Sequence, residues 1–228
     1  NLVMLFLPHA HCCARYIQYV GIGGCGVVGY IPDAKHLLAD IRNLKPTYLL
    51  GVPRVFEKIY NAASQKAGAG VQGHIFALSV KHFVKWSKDE QSGHGHSFID
   101  RMAHSFFMAT VGKSIRSALG PNLKWLACGG APLNVDLAHF FNGMDDITFI
   151  QGYGMTETAA PMLVNWEDDN EIGSVGKPGP GMGVRLGEDD EIELTGPNVF
   201  LGYSKQPELT AQAMPADGWI RTGDLGRI

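Results

Sequence analysis

LKWLACGGAP (residues 123–132) and DITFIQGYGMTE (146–157) decide the fold. Each is a short apolar run that breaks into glycine, and a helical stretch, 134–142, separates them. Apolar runs without alternation suit strands buried on both faces, and strand–helix–strand order suits a parallel sheet flanked by helices. Ligands bind such sheets at the carboxyl ends of the strands. GGAPL and QGYGMTE both fall there.

The same order holds toward the amino terminus. Val3 to Leu7 and Thr47 to Val52 read as strands, with Gly26 to Ile31 a weaker one between them. Pro32 and Asp33 open a helix carrying Leu37, Leu38 and Ile41 on one face. PRVFEKIYNAASQKA (53–67) is a helix with Pro53 at its start and Phe56, Ile59, Tyr60 and Ala63 at helical spacing.

Residues 74–119 differ. Phe76, Val80, Phe83 and Val84 mark one amphipathic helix, and Phe107, Val111, Ile115 and Leu119 another. The polar run from Ser87 to Ser97 is expected as a solvated, disorder-prone connection. Its His94 and His96 read as solvent-facing residues, since no further metal ligand lies near them in sequence. The expected arrangement is a helical hairpin on the sheet. A cover over an apolar substrate and a peripheral membrane contact are the alternatives.

From Glu171 the chain turns to glycine, proline and short β-like pieces, which read as a small antiparallel β subdomain. The expected organisation is therefore an α/β subdomain over 1–166 with a helical insertion at about 70–119, then a β-rich subdomain over 171–228. NLVMLFLP begins on a buried-type run, and WIRTGDLGRI stops just after a strand-like one. The chain is read as a fragment of a longer protein.

Composition narrows the function. A net charge of -3 gives no basic field for nucleic acid. The longest uncharged stretch, Tyr16 to Ile31, is broken by glycines and is shorter than the roughly 18–20 apolar residues that span a bilayer. The four cysteines form no C-x-x-C pair, which favours a cytoplasmic setting over a disulfide or zinc framework.

The glycines around Tyr153 let main chain approach a planar ligand, and the ring offers a stacking face. Gly129, Gly130 and Ala131 can form the opposite wall of a thin slot. Thr156 can donate to a phosphate oxygen, and Glu157 offers the hard oxygen that Mg²⁺ prefers. Asp224, expected on a tight turn after a strand, can accept from a ribose diol. Each feature alone also fits a turn or a cap.

In order, FLPHAHCCAR, VPRVFEKIYN, CGGAPL, QGYGMTET, GSVGKPGPG, GPNVFLGY and GWIRTGDLG resemble the adenylate-forming (AMP-binding) enzymes, and within them the long-chain fatty acid–CoA ligases, or acyl-CoA synthetases. The resemblance implies the large N-terminal domain of that family, with ATP, Mg²⁺, a fatty acid and CoA as reaction components. It implies that Tyr153 stacks on adenine against the backbone of Gly129, Gly130, Ala131 and Pro132. Gln151, Gly152, Gly154 and Met155 continue the nucleotide wall. Thr156 contacts phosphate, Glu157 holds the metal, Asp224 binds ribose, and His11 lies near the carboxylate end of the acyl pocket. The family's phosphate loop, ending in Lys-Gly, and its C-terminal domain with a catalytic lysine have no counterpart here, so the fragment alone is expected to be inactive.

Cys128 and His9 depart from the family's usual residues. An amino-acid adenylating domain would need a carboxylate near His11, and PHAHCCAR has none. A fatty acyl-AMP ligase serving a carrier protein, and a non-catalytic nucleotide-binding fragment, remain the alternatives.

Overall fold

The computed structural model describes residues 1–32, 36–215 and 218–228. Five parallel strands form its centre: β1 (Leu2–Leu5), β2 (Val27–Tyr30), β3 (Tyr48–Gly51), β4 (Trp125–Cys128) and β5 (Thr148–Tyr153). The sheet runs on through two short antiparallel strands, β6 (Leu163–Val164) and β7 (Lys177–Pro178), in the order β2-β1-β3-β4-β5-β6-β7. A separate antiparallel sheet holds β8 (Gly183–Leu186), β9 (Glu191–Thr195) and β10 (Ile220–Leu225).

Helices α1 (Cys12–Gly23), α2 (Leu37–Leu44) and α3 (Pro53–Ala67) connect the first strands. Asp33, expected at the start of α2, lies outside the described residues. Pro53 opens α3, where its missing N–H costs nothing. Phe56 of α3 packs edge-on against Phe149 of β5, ring centres 5.0 Å apart, and Tyr60 meets Phe140 of α7 (Val135–Asn142) at 5.2 Å. Both rings lie on the face of α3 that the helical spacing marks as apolar.

The insertion is more helical than expected. α4 spans Val71–Gln91, so the polar stretch from Ser87 to Gln91 is its last turn rather than a loop. Tertiary contacts hold it: Ser87 is buried, its hydroxyl 2.9 Å from His139 Nδ1, and Lys88 pairs with Asp136 at 2.6 Å. The connection shrinks to 92–97, where Ser97 and Asp100 form the capping box that opens α5 (Phe98–Phe107). His96 is not solvated either. Its ring stacks on Trp86 at 3.4 Å, while His104 stacks on the same indole at 3.9 Å.

A π-helical turn, Met108–Gly112, joins α5 to α6 (Lys113–Leu119). It explains the spacing of Phe107, Val111, Ile115 and Leu119. Successive steps of four overshoot a 3.6-residue turn, and a widened turn absorbs the excess. Phe107 and Val111 thus stay on the core side with buried Ile115 and Leu119. Phe98, Ile99, Met102 and Phe106 of α5 remain exposed. No described helix is long and apolar enough to cross a membrane.

Burial lowers the pKa of both His82 and His139, with nearby positive groups adding to it. A base whose folded pKa is depressed leaves stability intact above the unfolded value, about 6.5, and removes it as pH falls below that. The urea midpoint is therefore expected to fall between about pH 8 and pH 5, and less steeply in His139→Gln. Identical slopes in the two proteins would contradict this assignment.

Candidate nucleotide site

The parallel pairing of β4 with β5 sets Cys128 beside Gln151, so both glycine-rich segments leave the sheet at the same edge. There the backbones approach closely. A Cβ on Gly129 would lie 3.3 Å from the Gly152 carbonyl oxygen, and one on Gly154 only 2.5 Å from that of Ala160. Side chains would fill the gap that these glycines keep open.

Gly129, Gly130, Gln151, Gly152, Tyr153 and Gly154 line one slot of about 100 Å³, together with Cys13, Tyr16 and Ile17 of α1 and Leu50 and Ile150 of the sheet. Ala131 and Pro132 are exposed just beyond it, and Met155 follows Gly154 into the next turn. A larger groove of about 890 Å³, between α4, α7 and residues 167–171, holds none of the expected site residues.

Asp224 reaches Tyr153 from the small sheet. The Tyr153 hydroxyl donates to its Oδ2 at 2.5 Å. Burial, then this bond to a carboxylate, pushes the Tyr153 phenol up to about 12, so it remains a donor at neutral pH. Asp224 does not follow a strand, as the sequence suggested. It lies within β10, where the register shifts between Arg221 and Leu225 and Gly223 adopts φ 76°. Glu191 fixes this irregularity by accepting from the Arg221 guanidinium and, at 2.8 Å, from the Gly223 N–H. Those bonds hold the Glu191 carboxyl below its usual pKa.

Thr156 and Glu157 occupy a 3-10 turn directly after Met155. Thr156 is exposed and Glu157 half-buried. The Tyr203 hydroxyl donates to Glu157 Oε1 at 2.9 Å, and Phe200 N–H donates to the Glu157 carbonyl at 2.8 Å. Asn198 supports the same turn through the Thr158 carbonyl, at 2.6 Å. Sequence reading gave neither Tyr203 nor Asn198 a role, although both lie in GPNVFLGY, which it singled out. Their partners are 46 and 40 residues away, and no local pattern reports such a distance.

His11 is exposed outside the slot and caps α1, its Nδ1 accepting from Cys13 N–H at 3.3 Å. Cys128 is buried in the main core, and burial alone raises its thiol to about 12. It packs in the core and borders the slot.

A slot at strand ends, with an aromatic face and a bare backbone wall, is where α/β proteins bind their ligands. Comparison with known proteins gives the family: residues 1–204 match the AMP-binding enzymes, and the chain belongs to that family. It is 39% identical over 226 residues to the long-chain-fatty-acid–CoA ligase FadD15 of Mycobacterium bovis, covering 99% of this chain and 37% of that one. It is 36% identical to long chain acyl-CoA synthetase 1 of Arabidopsis thaliana, covering 100% of this chain and 36% of the relative. The chain thus spans little more than a third of these relatives' length. Its fold superposes on the N-terminal domain of FACL13 from Mycobacterium tuberculosis with a TM-score of 0.66 at 18% identity, covering 100% of this chain and 48% of that one.

Proposed function

We propose that this chain provides the adenine slot, a metal ligand and the ribose contact of an ATP-dependent long-chain fatty acid–CoA ligase. The observation that carries the reading is the Tyr153–Asp224 hydrogen bond, which couples the glycine-lined strand ends to the small sheet. It gathers the stacking face, bare backbone and carboxylate that a single nucleotide requires. In the reaction the fatty acid carboxylate attacks the α-phosphorus of ATP and pyrophosphate leaves. The CoA thiol then displaces AMP, giving the thioester.

Each residue has a part. Tyr153 lies flat on adenine against Gly129, Gly130, Ala131 and Pro132, with Gln151, Gly152, Gly154 and Met155 along the edge. The ribose diol takes the Asp224 carboxylate in place of the Tyr153 hydroxyl. Thr156 donates to a phosphate oxygen, and His11 faces the carboxylate end of the acyl chain. Glu157 suits Mg²⁺: it is a hard oxygen donor, half-open to water, beside a hydroxyl that can share the phosphates. Mg²⁺ bound there would neutralise phosphate charge. The exposed row Phe98, Ile99, Met102 and Phe106 suits a peripheral membrane contact at the cytoplasmic face, where long acyl chains partition.

Asp224→Ala in the complete enzyme is expected to weaken ATP binding by roughly 2–3 kcal/mol, about 30–150-fold, because two charge-assisted bonds are lost. Tyr153→Phe keeps the ring and should change affinity by less than about threefold. Calorimetric titration separates the two. Unchanged affinity in Asp224→Ala would leave Asp224 as no more than a partner for Tyr153.

A further inference from the structure

We propose that His11, Cys12 and Cys13 form a binding site for a thiophilic divalent cation of the zinc class. One imidazole nitrogen and two thiol sulfurs lie within 4.8 Å of one another, the only such three-ligand group among the described residues. Cys12 Sγ is 3.9 Å from His11 Nδ1. Tetrahedral zinc, with bonds of about 2.3 Å to sulfur and 2.0–2.1 Å to nitrogen, holds its ligand atoms roughly 3.5–3.8 Å apart. Small side-chain rotations close the difference.

The local chain explains why adjacent residues converge. His11 N–H donates to Pro8 carbonyl at 2.9 Å in a tight turn, so His11 becomes the N-cap and Cys12 and Cys13 the first residues of α1. Within a regular helix, neighbours diverge by about 100°. At the cap, the extended backbone of His11 folds its ring back over the first turn instead.

Charge and softness select the ion. The first turn of α1 has no carboxylate, so no hard oxygen donor there competes for the ion. Two thiolates and a dication sum to zero, so half-buried Cys13 can take the ion without stranding a charge. Two sulfurs and one imidazole suit zinc or cadmium and reject Mg²⁺, which separates this group from Glu157. Three protein ligands leave a fourth position for water, so the bound ion is exchangeable.

Burial, then the neighbouring Cys12, pushes the Cys13 thiol up to about 11. Thiolate ligation releases protons whatever the site, so affinity should rise with pH. The cap bond that the metal would replace, Cys13 N–H to His11 Nδ1, is long at 3.3 Å, so little is lost. Cys13 also lines the Tyr153 slot, which puts a bound ion at the edge of that slot.

Cd²⁺ titration of the 228-residue chain, followed by the ultraviolet thiolate-to-cadmium band, tests the site. One ion per chain with a two-thiolate band is expected, and Zn²⁺ should compete it away. Cys12→Ser, Cys13→Ser and His11→Asn should each weaken binding by roughly 10–100-fold or more, since losing even an outer-shell partner costs that much. Asn retains an acceptor for the helix cap, so loss in His11→Asn reports ligation rather than fraying. Cys25→Ser should bind as the unmodified chain does. In the unmodified chain, which needs no variant to fold, Zn²⁺ should protect Cys12 and Cys13 from alkylation. Wild-type affinity in either Cys12→Ser or Cys13→Ser, or unprotected thiols at saturating Zn²⁺, would overturn the proposal.

Discussion

Glu157→Gln in the complete enzyme is expected to slow pyrophosphate release by roughly 100-fold or more, corresponding to about 3 kcal/mol. The substitution is a sharp test because of what it preserves. Gln keeps an Oε1 acceptor for the Tyr203 hydroxyl, now 2.9 Å away, and the Phe200 N–H bonds the backbone carbonyl, which is untouched. The 3-10 turn should therefore persist while the charge of the proposed metal ligand is lost. Adenylation should suffer, and transfer of a preformed acyl-adenylate to CoA should not. Unchanged pyrophosphate release would remove Glu157 from the metal site.

Gly176→Ala should cost about 3–5 kcal/mol of stability. Two penalties coincide at this position. Gly176 has φ +87°, and a Cβ would sit 2.1 Å from the Val164 carbonyl carbon and 2.3 Å from Asn165 N. Backbone on β6 cannot yield as a flexible side chain would. Gly93 separates the two effects, having φ +72° with nothing within 4 Å of a built Cβ. Gly93→Ala should cost only the left-handed strain, about 1–2 kcal/mol. Urea denaturation of both variants checks the difference. Equal losses would show that conformation, and not the approach of β6, fixes glycine in GSVGKPG.

The parallel sheet was legible because strands such as β1 and β4 lie in apolar runs and Pro53 marks a helix start. The slot was legible for a related reason: glycine clusters mark the carboxyl ends of β4 and β5, where such sheets bind ligands. What escaped depends on contacts distant in sequence. Residues 87–91 look like a solvated connection until His139 and Asp136 are brought against Ser87 and Lys88. His96 looks solvated until it meets Trp86. Asp224 looks like a turn residue because β10 is irregular where glycine interrupts it, and Glu191, far upstream, holds that irregularity. The motif GPNVFLGY was visible, but its task of steadying Glu157 through Tyr203 and Thr158 through Asn198 was not.

The central claim is that the slot at the ends of β4 and β5 belongs to a fatty acid–CoA ligase, and one measurement reaches it directly. The complete enzyme is incubated with ATP, Mg²⁺ and a long-chain fatty acid, and ATP–pyrophosphate exchange and thioester formation are followed with and without CoA. The account predicts exchange that depends on the fatty acid, and stoichiometric acyl-CoA with AMP release once CoA is added. Acyl-adenylate that accumulates unchanged in the presence of CoA, or exchange indifferent to the fatty acid, would contradict it.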